Sequence, residues 1–175
     1  MIRTRSGRYL DFANPDPADI QLEDIAVALS RAPRFSGHTR EVYSVAQHSV
    51  FVGRMISGKG RLKGYLHDAS EAYLADVATP AKQLLPEYYT LEAKVMGAVA
   101  KAFGLDQGFQ HDADVKLADV AMLFYERDAM IGNDIRWMIE DQHPGGTIYD
   151  HFPNWKPWSS NVAAENFYAE VLSQL

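Results

Sequence analysis

The chain has 175 residues, 47% hydrophobic and 23% charged, a balance that fits one globular domain over residues 1–175 and argues against disorder. A formal net charge of −6 speaks against a nucleic-acid polymer as partner, because binders of phosphate backbones carry a basic face, whereas a single nucleotide needs only a few local cations. With no cysteine, disulfides, thiolate nucleophiles and thiolate metal sites are excluded, so any metal must be held by imidazole and carboxylate, which suit Zn, Mn, Fe, Co, Ni or Mg.

Residues 1–19 read as an irregular or weakly extended lead-in, with Gly7 and the turn cluster Asn14-Pro15-Asp16-Pro17. The first seven residues lack the apolar core of a signal peptide, and no apolar run reaches membrane-spanning length, so the expectation is a cytoplasmic protein without a membrane partner. Asp19 is placed to cap a helix that runs through Ile25 and Leu29 and stops before Pro33. Arg34-Phe35-Ser36-Gly37-His38 follows as a loop. Residues 43–56 carry a helical apolar pattern with His48 among core-facing positions, and Gly58 and Gly60 end it. Residues 62–74 form the central helical segment, and Pro80 opens a further short turn or helix. Residues 91–103 read as an amphipathic helix stopped at Gly104, residues 115–131 as a long helix closed by Gly132-Asn133, and residues 161–172 as a last helix. No strand-like alternation of useful length and no internal repeat interrupts this pattern, so the fold class is all-α.

The central segment holds an adjacent pair, His67-Asp68, with Glu71 four residues after the histidine and Asp76 eight residues after the aspartate. On a continuous helix Glu71 shares the face of the pair and Asp76 returns to it two turns later. Burying four ionisable side chains in an apolar segment costs several kcal/mol unless they are paired or bound to a cation, and a metal is the simplest remedy. His48 lies 19 residues before His67, and Asp119 lies 51 after Asp68, each in a helical segment with apolar neighbours. Inward ligands from several helices commonly assemble a divalent site in a bundle. Taken alone, His48 reads as a hydrogen-bonded core histidine; the His67-Asp68-Ala69-Ser70-Glu71 context favours a ligand instead.

The order His48, His67-Asp68, Asp119 resembles the signature of HD-domain metal-dependent phosphohydrolases. Val45-Ala46-Gln47-His48-Ser49, His67-Asp68-Ala69-Ser70-Glu71, Asp76, Thr79-Pro80-Ala81-Lys82 and Lys116-Leu117-Ala118-Asp119 resemble blocks of the bacterial 5′-deoxynucleotidase branch and of related phage deoxynucleotide (dATP) triphosphohydrolases. The resemblance covers roughly residues 20–130. It implies an HD-domain helical bundle, one divalent ion held by His48, His67, Asp68 and Asp119, and a small-molecule nucleotide substrate, expected to be a deoxynucleotide. Water activated by the ion would attack the α-phosphorus, giving nucleoside and phosphate from a monophosphate or nucleoside and triphosphate from a triphosphate. Glu71 is the candidate group for protonating the leaving oxygen, a role the resemblance supports. Asp76 is the candidate for orienting the nucleophilic water.

Phosphate recognition needs cations. Arg34, 14 residues before His48, corresponds in the resemblance to the arginine of an Arg-Trp pair, and Lys82 to a family lysine. Phe35 stands where the deoxynucleotidases have Trp; it can pack against sugar or base, with less area and no indole donor, or serve as plain core. Lys82 can equally be a solubilising surface lysine.

Other features carry less weight. His111-Asp112 reads as the polar start of the helix that follows, His38 as the cap of its turn, and Glu126 as the partner of a basic side chain such as Arg127 or Arg31. His143 and His151, among Trp155 and Trp158, read as packing or subunit-contact residues, and the aromatic stretch 149–158 leaves room for a homo-oligomer. Two other functions fit the same residues. One is hydrolysis of a signalling nucleotide, disfavoured because Ala72 follows Glu71 where such hydrolases carry a Glu-Asp pair. The other is a metal-stabilised module that binds nucleotide without turnover.

Overall fold

The computed structural model describes residues 1–132, 152 and 156–175. Their architecture is all-α. The lead-in takes the form of a two-residue antiparallel pair, β1 (Ile2–Arg3) with β2 (Tyr9–Leu10). It is pinned to the first helix because the Ser6 N–H and hydroxyl donate to the buried Asp24 carboxylate at 2.7 and 2.6 Å.

Helix α1 spans Leu22–Arg31. Asp19 does not cap it. Asp16 instead accepts from the Ala18 N–H and, with Pro17 fixing the next φ, starts a separate 3-10 turn over Pro17–Asp19. Ile20, buried in the core, then runs extended before α1 begins, which puts Gln21 at the cap position with no side-chain bond.

Helix α2 (Val45–Met55) is the central element and packs against α1, α3 (Arg61–Leu66), α7 (Ala113–Met130) and α8 (Ser160–Leu172). The Ser44 side chain accepts from Gln47 N–H at its start, and every residue from Val45 to Gly53 is buried. That stretch contains no charged residue other than a titratable histidine, which is why it can be enclosed on all sides. Two glycines let α2 and α3 approach closely. A Cβ on Gly53 would collide with the Tyr65 ring, and one on Gly64 would lie 2.8 Å from the Gly53 Cα.

The segment expected to be one helix over residues 62–74 divides at the His-Asp pair. After α3 the chain tightens into 3-10 bonding, with Ala69 N–H donating to Leu66 O and Glu71 N–H to Asp68 O, and resumes as the short α4 (Glu71–Leu74). The cause is local: His67 Nδ1 contacts Gly64 O at 2.7 Å, the carbonyl that a continuing α-helix would offer to Asp68 N–H. Ala75, at φ 66° and ψ 161°, ends α4. Asp76 therefore lies in the irregular segment after α4, not on the helix face that its spacing suggested.

Short helix α5 (Thr79–Lys82) leads into α6 (Pro86–Ala102), which begins five residues before the expected start because Pro86 occupies its first turn. Before α8, the Gln47 side-chain amide clamps the chain to α2, donating to Lys156 O at 2.9 Å and accepting from Trp158 N–H at 2.8 Å. Phe51 stacks on Phe152 and meets the Trp158 ring edge-on, so these two late aromatics pack on their own chain. His143, His151, Tyr149 and Trp155 lie outside the described residues. Among the described residues no helix is long and apolar enough to cross a membrane.

Candidate metal centre

The α2–α3 contact brings His48 and His67 together. Their Nε2 atoms lie 3.3 Å apart. Asp68 Oδ2 lies 3.2 Å from His67 Nε2 and 3.7 Å from His48 Nε2, and Asp119 Oδ1, from α7, lies 3.2 Å from His48 Nε2 and 3.7 Å from His67 Nε2. His48, His67 and Asp68 form a group able to hold a metal ion. Both imidazoles are buried, while the two carboxylates keep about a quarter of their surface exposed, which leaves one side open.

The chemistry of this donor set tests the fit. The Nδ1 of each imidazole faces an acceptor on the side away from the cluster, Glu126 Oε1 for His48 at 2.6 Å and Gly64 O for His67 at 2.7 Å. Each neutral ring therefore carries its proton on Nδ1 and turns an Nε2 lone pair inward. Two lone pairs and two carboxylate oxygens converging at this distance repel one another unless positive charge lies between them. Ligand atoms bound about 2.1 Å from one ion sit roughly 3.0–3.4 Å from each other, close to the spacing here. The residues present fit a divalent ion.

Electrostatics points the same way. Burial disfavours the charged forms of all four groups. Even so, the Asp68 and Asp119 carboxylates lift His67 well above the usual imidazole range, and Glu126 and Asp119 lift His48 against both burial and the Arg34 charge. Asp68 and Asp119 are in turn held below the carboxylate range by the two histidines. The cluster favours positive charge at the point its four side chains face.

The other expected residues surround this point unequally. Glu71 is buried; its Oε2 has no hydrogen-bond partner among the described residues, and its Oε1 lies 3.5 Å from Lys82 Nζ. Burial, then Asp68 and Asp76, push its carboxyl well above the ordinary value, outweighing Lys82 and Arg34. Half-buried Asp76 is raised as well, first by burial and then by Asp68, with Arg34 opposing. Lys82 is not a free cation: its ammonium donates to Glu92 Oε1 at 2.8 Å and lies over the Tyr88 ring.

Arg34 is held beside the metal ligands by the loop that precedes α2. Arg34 N–H donates to Tyr43 O and Val45 N–H to Ala32 O, closing the loop as a short antiparallel bridge. Its guanidinium donates through Nε to Glu126 Oε2 at 2.9 Å and brings Nη1 to 3.7 Å from Asp68 Oδ2. Next to it, Phe35 and Ser36 both adopt left-handed backbone at φ 53°, which costs on the order of 1–3 kcal/mol per residue. Phe35 is half-buried and lies against the Arg34 guanidinium. Exposed His38 caps this turn through its backbone N–H to Phe35 O.

Glu126 pairs with a basic side chain as expected, though not with either of those named. Its partner is neither Arg127 nor Arg31 but Arg34, and it also accepts from the Tyr43 hydroxyl at 2.7 Å and faces His48 Nδ1. Its position seven residues after Asp119, two turns along α7, was the signal in the sequence that both carboxylates share a face. His111-Asp112 precedes α7 as expected, with Asp112 taken by Lys63 at 2.6 Å.

Fold and site together define an all-α protein built around a buried His/Asp group suited to a cation. No family model matches the chain. It is 34% identical over 153 residues to the uncharacterized protein YfdR of Escherichia coli, covering 87% of this chain and 85% of that protein, and it belongs to the same family. It is also 40% identical over 113 residues to the uncharacterized protein RCAP_rcc00048 of Rhodobacter capsulatus, covering 59% of this chain and 58% of that protein.

Proposed function

We propose that this protein is an HD-type, metal-dependent phosphohydrolase acting on a nucleotide, with a deoxynucleotide as the expected substrate. The observation that carries the reading is the convergence of two Nδ1-anchored imidazoles with Asp68 and Asp119 beside an arginine and a buried, unpartnered carboxyl. His48, His67, Asp68 and Asp119 would hold one divalent ion, which when bound supplies an activated water and neutralises phosphoryl charge.

The remaining steps belong to the chain's own groups. The Arg34 guanidinium, fixed by Glu126, presents Nη1 toward the cluster, where it grips a phosphate oxygen. Glu71, whose carboxyl burial and then Asp68 and Asp76 push toward its protonated form, is the group placed to supply the proton that the leaving oxygen requires. Its Oε2, which has no hydrogen-bond partner among the described residues, is the atom available for that transfer. Asp76, in the irregular segment after α4, orients the attacking water. Lys82, engaged by Glu92, acts on Glu71 and the incoming charge as a nearby cation and not as the primary phosphate ligand. Phe35 offers a ring to sugar or base.

A product assay tests this reading: metal-supplemented protein is given ribo- and deoxynucleoside mono- and triphosphates of all bases, and guanosine tetraphosphate. Release of phosphate from a monophosphate, or of triphosphate from a triphosphate, supports it and fixes the cleavage point. Turnover of guanosine tetraphosphate alone would transfer the site to signalling-nucleotide hydrolysis. Metal-dependent nucleotide binding with no product would make it a binding module.

A further inference from the structure

We propose that Glu126 is a positioning residue that locks the metal-facing imidazole of His48 and the phosphate-gripping guanidinium of Arg34 into one fixed relation. The inference rests on the hydrolase reading for the role of Arg34, and on the geometry alone for the role of His48.

Glu126 is fully buried, and the three groups it engages come from a single stretch of chain before and within α2. Oε1 receives the Tyr43 hydroxyl at 2.7 Å and faces His48 Nδ1 at 2.6 Å, while Oε2 receives Arg34 Nε at 2.9 Å. A buried carboxylate is costly unless paired, and Arg34 alone would pair it. The second oxygen has a separate job. By accepting the Nδ1 proton it fixes the tautomer and tilt of His48, so that Nε2 points at His67, Asp68 and Asp119. The guanidinium is planar, so fixing Nε also fixes the direction of Nη1, which lies on the Asp68 side. One side chain on α7 thus sets the distance between the place for the ion and the place for the phosphate. Asp119, two turns earlier on the same helix, ties that distance to the cluster itself.

The test uses full-length Glu126→Gln and Glu126→Asp, with Tyr43→Phe as a control that removes one donor while leaving His48 and Arg34 in place. Mn2+ affinity is measured by calorimetric titration, inorganic phosphate affinity on the metal-loaded protein, and the His48 Nδ1 proton by NMR. Expected results are a loss of about 10- to 100-fold in Mn2+ affinity for Glu126→Gln, and an upfield move of the imidazole proton in both Glu126 variants. Tyr43→Phe is expected to lose less than the roughly 10-fold at the bottom of that range. Arg34→Ala weakens phosphate in the wild-type background and weakens it little further in Glu126→Gln. Should Glu126→Gln fail to fold, Glu126→Asp carries the same readouts, because it keeps the charge and loses only reach. Folded Glu126 variants with wild-type Mn2+ and phosphate affinity, or Arg34 and Glu126 effects that simply multiply, would overturn the proposal whatever the melting temperatures. Wild-type protein that binds Mn2+ but hydrolyses no nucleotide would defeat the hydrolase reading and leave the Mn2+ and NMR arms for Glu126 standing.

Discussion

At the scale of single residues, the proposed reaction would divide its chemistry between Glu71 and Asp68. Asp68 faces both imidazoles, whereas Glu71 keeps a buried oxygen with no hydrogen-bond partner among the described residues. Replacing Glu71 with Gln keeps the shape and removes the transferable proton, so metal uptake persists while kcat falls roughly a hundred- to ten-thousand-fold. The sign of the pH effect on stability follows from the raised Glu71 value. The folded state holds this proton more tightly than the unfolded chain, so the stabilisation is complete below the ordinary value of 4.5 and is lost as pH rises toward the folded value. Thermal melting across pH should therefore show Glu71→Gln gaining on wild type as pH rises above the ordinary value of 4.5. A gap that is constant with pH would mean that Glu71 is ionised in the folded protein.

At the scale of elements, the site depends on how closely α2 and α3 approach. Gly53→Ala places a methyl group against the Tyr65 ring, and the helices must separate to admit it. The expected cost is about 1–3 kcal/mol in denaturant unfolding, together with weaker metal uptake, because the separation that relieves the clash also parts His48 from His67. Unchanged metal affinity in a destabilised Gly53→Ala protein would show that the histidines are positioned independently of this contact. The helices bearing His48, His67 and Asp119 were legible in the sequence because apolar residues recur around each at helical spacing, and the all-α class followed from the same pattern. The break after α3 was not legible, because it arises when a side chain, His67, engages the Gly64 carbonyl. For the same reason the helical-face argument for Asp76 failed although the residue does lie near Glu71; the end of α4 at Ala75 depends on a positive φ that no glycine announces. That Glu126 pairs with a basic side chain was legible, but which one was not, because its partners His48, Tyr43 and Arg34 lie 78, 83 and 92 residues away, where local spacing carries no information.

At the scale of the whole molecule, a cation held by the cluster would make folding and cation binding one equilibrium. One hydrophobic cluster extends from Leu10 to Val171, and α2, which carries His48, lies within it against four other helices. Anything bound by His48 and His67 in the folded chain stabilises that packing by mass action. Free ion at a hundred times its dissociation constant contributes about 2.7 kcal/mol, which for a chain of this length raises the melting temperature by about 5–11 °C. Scanning calorimetry with and without a chelator measures that shift. A melting temperature indifferent to chelator and to added Mn2+, Zn2+ or Mg2+ would mean that the buried cluster is satisfied by protons alone. The most direct test of the central claim is calorimetric titration of chelator-treated wild-type and Asp68→Ala protein with those same ions. The account predicts one ion per wild-type chain and none retained by folded Asp68→Ala; no uptake by wild type, or equal uptake by both, would contradict it.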